Sequence, residues 1–218
     1  PLKRLLSRMD SRIQVVSSND IVPRTDYACP LLNLPHILNS TLESIPTPES
    51  YLGENINTAA IKLNRVKSIG LVWRGNDKHK NDKKRSIPFK ELYPLIKTEL
   101  SFATLQKGIA PEDLAEVNQF NNIYVTDHMI NDFDDTSRII EDLDLVITVD
   151  TSIAHLSGAM GKKTWILLPF NPDYRWMLDR EDSPWYASVK LYRQDETRLW
   201  GPVIKRVAED LKRIANTE

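Results

Sequence analysis

From Ile69 onward, short apolar runs alternate with longer stretches whose apolar residues recur at helical spacing. That alternation predicts a parallel sheet with crossover helices. The runs Ser68–Trp73, Phe102–Gln106, Ile123–Thr126, Leu145–Val149 and Thr164–Leu168 read as five strands. Pro88–Leu100 sets Phe89, Leu92, Leu95, Ile96 and Leu100 near helical spacing, and Pro94 should kink or restart that helix because it lacks the N–H the ladder needs. Asp134–Leu143 carries Ile139, Ile140 and Leu143, with Asp134 or Asp135 suited to cap it. The last helix starts at Pro202, a favoured first-turn residue, and buries Val203, Ile204, Val207, Leu211 and Ile214 on one face. The expected class is α/β: a Rossmann-like parallel sheet with flanking helices.

Residues 1–60 follow no such pattern. Pro23, Pro30, Pro35, Pro46 and Pro48 interrupt any long element, and only Arg12–Val16 looks like a strand. This stretch is too broken to make a core alone, so it should pack on the α/β unit or on sequence absent here. The chain therefore divides into 1–60 and 61–218. A first residue Pro1 in place of Met, followed by Leu2-Lys3-Arg4-Leu5-Leu6 without a long apolar stretch, suggests a piece of a longer protein rather than a leader peptide.

Charge and cysteine usage narrow the classes. Lys and Arg number 29 against 30 Asp and Glu, so no global field draws the chain to nucleic acid or to an anionic membrane. The basic run Lys78–Arg85 is short and interrupted by Asn81 and Asp82, which fits a solvated or phosphate-facing loop better than a nucleic-acid patch. A single cysteine, Cys29, rules out a disulfide within the chain and any Cys-rich zinc site, and suits a cytoplasmic setting. The apolar runs are strand-length, too short to span a bilayer. No strand is followed by a G-x-G-x-x-G turn, which argues against a dinucleotide oxidoreductase.

Candidate chemistry gathers at three strand ends. The strand ending at Val149 runs through Asp150-Thr151-Ser152 straight into a helix, so free backbone N–H groups should open at the C-terminal edge of the sheet, where an anion binds. Thr151 and Ser152 can add hydroxyl donors, and His155 lies about one turn further on. Lys107 and Gly108 end a second strand, while Gly75 and Asn76 follow the first. Without that convergence, Asp150 and Thr151 would be plain helix caps, His155 a core residue and Lys107 a solvated one. After the fifth strand, Asp173 to Trp176 and Asp179 to Tyr186 form an aromatic and charged cluster in which Arg175 can pair with phosphate. Asp132-Phe133-Asp134 and Asp142-Leu143-Asp144 have the D-x-D spelling of some metal sites, yet both sit where helix caps and strand starts are expected, and no metal is predicted.

At these residues the sequence resembles bacterial proteins in which tetratricopeptide repeats precede a glycosyltransferase domain, related to heptosyltransferase-like and protein O-GlcNAc-transferase-like GT-B enzymes. The matching stretches are Gly70 to Asn76 with His79, Asn81, Arg85 and Ser86, then Leu105 to Gly108, Asp132 to Thr136, Asp144 to Ala159 and Trp165 to Tyr186. Cys29 to Pro35, Ile45-Pro46 and Tyr51-Leu52 are similar to the end of that family's N-terminal, acceptor-side domain. The resemblance implies that 1–60 is the remnant of that domain plus linker, and that 61–218 is the C-terminal half that binds a nucleotide sugar. It implies phosphate or ribose contacts at Lys107, Asp150, Thr151 and His155, with Asn76 and Asp132 as further members. With Gly75, Ser152 and Arg175 these make the expected nucleotide site. The implied reaction is metal-independent transfer of a sugar from a nucleotide diphosphate sugar to an acceptor glycan, lipid-linked sugar or protein, with no cofactor beyond that donor. No general base is assigned, since the family's base commonly lies in the absent half, and His36 and His79 read as loop or packing residues. The rival readings are a non-catalytic nucleotide- or partner-binding module and a sugar-nucleotide epimerase, for which no carboxylate pair is evident.

Overall fold

The uninterrupted apolar runs become strands buried on both faces, as a parallel sheet between two helical layers requires. A computed structural model describes residues 1–47, 49–52 and 67–215. In chain order these form α1 (Lys3–Leu6), a 3-10 turn, α2 (Leu34–Ile37), β1 (Ser68–Val72), α3 (Asp82–Arg85), a 3-10 turn at Phe89–Leu92 and α4 (Tyr93–Ile96). There follow β2 (Ser101–Thr104), α5 (Pro111–Val117), β3 (Ile123–Tyr124), α6 (Phe133–Glu141), β4 (Leu145–Val149), α7 (Ser152–Ala159), β5 (Thr164–Leu168), β6 (Val189–Arg193) and α8 (Gly201–Ala215). The six strands lie in the order β3-β2-β1-β4-β5-β6, and every pairing is parallel. The order reverses between β1 and β4, which pair as Ile69 with Leu145 through Val72 with Thr148.

One face of the sheet packs Ile69, Leu71, Leu145, Ile147 and Trp165 against Leu95 and Ile96 of α4 and Val203, Val207 and Leu211 of α8. On the other, Val72, Ala103, Leu105 and Val146 meet Ile139 and Ile140 of α6 and Ile153 and Leu156 of α7. Leu5 of α1 belongs to this second layer and is only 2% exposed. Arg4 and Arg8 flank it with ion pairs to Asp132, Asp134 and Asp135 at the start of α6. Tyr51 and Leu52 also dock, both donating their backbone N–H to the carbonyl of Ala159. Between these two anchors the chain lies open: Ile21, Tyr27 and Leu32 are exposed. The boundary expected at residues 60 and 61 lies outside the described residues. No helix among those described is long and apolar enough to cross a membrane.

Several expectations need correcting. A sixth strand, β6, was missed: as an edge strand it buries Val189, Leu191 and Tyr192 while Lys190 and Arg193 stay half-exposed, a pattern close to that of a loop. Arg12–Val16 forms no strand, because a strand exists only by pairing and this stretch meets no sheet edge. The cap of α6 is Asp132, whose carboxylate accepts the backbone N–H of Asp134 and Asp135, and neither of the two residues expected there serves. Pro94 does restart its helix: the 3-10 turn ends at Leu92 and α4 begins at Tyr93. The run α5 had no counterpart among the predicted helices.

Leu5→Ala removes a buried side chain next to Ile139 and Ile140, and should lower unfolding free energy by about 2 kcal/mol, the low end for such truncations because a short terminal helix can settle into the gap. Urea denaturation measures this; an unchanged midpoint would show that α1 does not pack on the sheet in solution.

Candidate functional site

The C-terminal ends of β1, β2 and β4 open on a cleft of about 730 Å³. It lies where the strand order reverses and the two crossovers diverge, the place at which open α/β sheets take ligands. After Val149 the chain bends at Asp150 and Thr151, with Thr151 itself at φ −137° and ψ 176°, and α7 begins at Ser152. The Thr151 hydroxyl accepts the N–H of Ile153 at 3.3 Å, so part of the capping role is real. Thr151, Ser152 and Ile153 line the cleft, and the first turn of α7 offers it partial positive charge.

The loop after β1 supplies the opposing wall through two carboxylates buried behind it. Asp113, in the first turn of α5, takes the indole N–H of Trp73 at 2.7 Å and the guanidinium of Arg74 at 2.6 and 3.0 Å. Asp82 takes the Ser86 hydroxyl at 2.9 Å and Nε of Arg85 at 3.2 Å. Ser86 in turn accepts the backbone N–H of Gly75 at 3.0 Å. Nη1 of Arg85 donates to the carbonyl of Asp150 at 2.6 Å, tying this loop to the turn that starts α7. Gly75 is glycine for want of room: a Cβ there would overlap Oδ1 of Asp82 and Nη2 of Arg85.

Lys107 stands on the far lip, exposed, with its ammonium 3.1 Å from the carbonyl and 3.6 Å from the carboxylate of Asp127. Gly108 takes φ +67°, the left-handed turn for which glycine suits, and donates its N–H to Asp127 at 2.8 Å. Asn76 and Asp132 also line the cleft. Asn76 accepts the N–H of Lys78, and Asp132 caps α6 while pairing with Arg4 at 2.9 Å. One carboxylate oxygen each from Asp132, Asp134 and Asp135 lie within 4.8 Å of one another, a spacing a cation can bridge. Arg4 and Arg8 already supply positive charge there. In the other D-x-D stretch, Asp144 accepts the backbone N–H and hydroxyl of Ser68, and Asp142 ends α6.

Of the nine expected site residues, the cleft gathers Gly75, Asn76, Lys107, Asp132, Thr151 and Ser152, and leaves Asp150, His155 and Arg175 outside its lining. The Asp150 side chain accepts the indole N–H of Trp176 at 2.8 Å. His155 stacks on that indole with ring centres 5.1 Å apart, and its Nδ1 lies 3.0 Å from the Tyr186 hydroxyl. Burial pushes its pKa below the ordinary 6.5, partly opposed by Asp150. Arg175 is exposed, paired with Asp173 at 2.8 Å and laid over the Tyr174 ring. His36 and His79 are both exposed. Sequence reasoning missed Arg74, Asp82, Arg85 and Asp113 as cleft residues. The signal lay within the basic run itself, where Asp82 sits three residues before Arg85 and four before Ser86, the spacing at which side chains on one turn meet.

No described protein family's sequence profile matches the chain. Over 203 residues it is 25% identical to Protein FlbA of Caulobacter vibrioides, an alignment covering 88% of this chain and 34% of that protein. Among solved structures it aligns with E. coli ADP-heptose lps heptosyltransferase II at a TM-score of 0.58 and 14% identity, covering 80% of this chain and 56% of that one. The likeness to heptosyltransferase II is one of fold. E. coli heptosyltransferase WaaC with ADP aligns more loosely, at a TM-score of 0.44 and 12% identity over 67% of this chain and 44% of that one. The chain thus spans about a third of the curated relative it matches and just over half of heptosyltransferase II.

Two outcomes follow from this geometry. Gly75→Ala forces the Arg85–Asp82 pair to move and should cost about 1–3 kcal/mol of stability by denaturant unfolding, as overpacking does; no loss would mean that the pair is not seated against this residue. The second concerns pH. Burial favours neutral His155 in the folded chain, whereas the unfolded chain takes up the proton near 6.5, so its contribution is full above 6.5 and is lost as pH falls through the depressed folded value. In that window the denaturation midpoint of the wild type should drop more steeply than that of His155→Gln; parallel slopes would refute the assignment.

Proposed function

We propose that this chain binds the diphosphate of a nucleotide sugar in the cleft between β1, β2 and β4 and serves glycosyl transfer from that donor. The observation that carries the reading is the meeting, at the reversal of the sheet, of the α7 N-terminus with a guanidinium fixed beside it, Arg85 on the Asp150 carbonyl at 2.6 Å. Diphosphate oxygens would accept the free N–H groups of the first turn of α7, the hydroxyl of Ser152 and the outer face of Arg85. Breaking the bond between sugar and diphosphate leaves an extra negative charge on the departing oxygen. N–H groups and a guanidinium already in place stabilise that charge without reorganising. Lys107, long and exposed on the far lip, supplies a charge that can follow the ligand, whereas Arg85 supplies one that stays put.

On this reading, transfer needs no metal, since Arg85, Lys107 and the helix terminus together balance the diphosphate. Asp150, His155 and Trp176 pack behind the first turn of α7 and fix its direction, in place of the direct donor contacts expected of Asp150 and His155. On the same reading the chain is the donor-side half of a GT-B enzyme, a division suggested by the phosphate-suited cleft at its sheet edge, and the acceptor side and general base are supplied by a second half.

Calorimetric titration of the chain with UDP, ADP and GDP tests the reading. One of them should bind saturably, indifferent to excess chelator. Arg85→Ala should weaken binding by about tenfold or more, the scale of one charge-assisted hydrogen bond, and Lys107→Ala by less. A folded chain that binds none of the three, or binds one equally well after Arg85→Ala and Thr151→Val, would overturn it.

A further inference from the structure

A series of aromatic and polar side chains runs behind the cleft, from the docked residues 49–52 to the turn that starts α7. Tyr186, 9% exposed, lies at its centre. Its ring presses on α7 where Gly158 leaves room, since a Cβ there would come within 2.6 Å of it. Tyr51 covers the other side, with ring centres 6.4 Å apart and planes 24° off parallel. Backbone holds Tyr51 in place: its N–H donates to the carbonyl of Ala159, and a Cβ at Gly161 would strike the carbonyl of Glu49. Enclosed on both faces, the Tyr186 ring has one direction in which to send its hydroxyl.

That hydroxyl meets Nδ1 of His155 at 3.0 Å and is the imidazole's only hydrogen-bond partner among the described residues. The His155 ring lies flat on the indole of Trp176, with centres 5.1 Å apart and planes 16° off parallel. Trp176 is fully buried. Arg193 fixes the backbone of its loop by donating to the carbonyls of Trp176, Met177 and Arg180, so the indole keeps only rotation about its own side-chain bonds. The imidazole limits that rotation. The indole then donates to the Asp150 carboxylate at 2.8 Å, and Arg85 donates to the Asp150 carbonyl. Residue 150 is thereby held from two sides, yet Asp150, His155, Trp176, Tyr186 and Tyr51 all lie outside the cleft lining.

We propose that Tyr186 is a positioning residue for the diphosphate site. Its hydroxyl orients His155, His155 keeps the Trp176 indole on Asp150, and the Asp150 turn aims the first N–H groups of α7 beside Arg85. The role rests on the nucleotide-binding reading above. A buried hydrogen bond that only stabilised the fold would leave distant groups unmoved; a positioning bond acts on groups that Tyr186 does not touch.

Tyr186→Phe keeps the ring and removes the hydroxyl. In amide and indole NMR spectra of the ligand-free chain it should shift the Trp176 indole N–H and the amides of Thr151, Ser152 and Ile153, while the amides of β2 stay in place. Nucleoside-diphosphate affinity should fall by about three- to tenfold, the scale of one hydrogen bond. This loss should add to that of Lys107→Ala on the opposite lip and should shrink in an Arg85→Ala background, because groups acting on one turn are not independent. Unmoved amides at Thr151 to Ile153, unchanged affinity in a wild type that binds, or full additivity with Arg85→Ala would each overturn the proposal and leave Tyr186 a packing residue. If the wild type binds no nucleoside diphosphate, the donor reading fails, and the spectra still decide whether Tyr186 sets the turn.

Discussion

Arg85 reaches across the end of the sheet to the carbonyl of Asp150, and through that bond the loop after β1 and the turn before α7 become one wall. Its guanidinium is mostly buried, with a side chain 15% exposed, so it needs a counter-charge. Asp82 provides it, and Gly75 provides the space. Removing Arg85 or Asp82 leaves the other's charge without its partner, and a side chain at Gly75 displaces both. The cleft therefore depends on a contact between segments 65 residues apart in the chain.

The same device recurs around the cleft. Asp113 and Asp134 have side chains 5% and 3% exposed, and each is met by arginine: Arg74 on one, Arg4, Arg8 and Arg138 on the other. Buried ion pairs of this sort add little net stability, because desolvation consumes most of the attraction. What they contribute is position. Arg74 is oriented by a carboxylate that is itself held in place by the indole of the core residue Trp73. Arg4 and Arg8 hold α1 on the start of α6, where Asp132 is both cap and cleft wall. The N-terminal residues are thereby part of the architecture around the site.

Mobility and fixity are divided along the cleft. The first turn of α7 and Arg85 form a rigid side, backed by the stacked Trp176 and His155 rings. Lys107 on the other lip reaches into solvent on a flexible stem. A rigid, partly buried cation suits charge that develops during a reaction, while an exposed lysine suits capture and guidance.

The amino-acid sequence by itself determined the central strands of the sheet. β4 and β5 were legible to the residue, and β1 to within one residue at its end, because central strands of a parallel sheet are buried on both faces and leave an unbroken apolar signature. It also determined that Thr151 and Ser152 open a helix at a strand end and that Lys107 and Gly75 gather at the same edge, since strand direction alone sends those turns to one side of the sheet. Only the tertiary structure decided which polar groups face the cleft. Arg85 looked like one more charge in a lysine run, and β6 like loop, because their roles are set by partners distant in sequence, Asp150 in one case and the edge of β5 in the other. His155 and Asp150, read as facing a ligand, turned instead to Trp176 and Tyr186. Local pattern fixes where a chain is strand or helix; the direction of a polar side chain is chosen by whatever long-range neighbour can satisfy it once water has been removed.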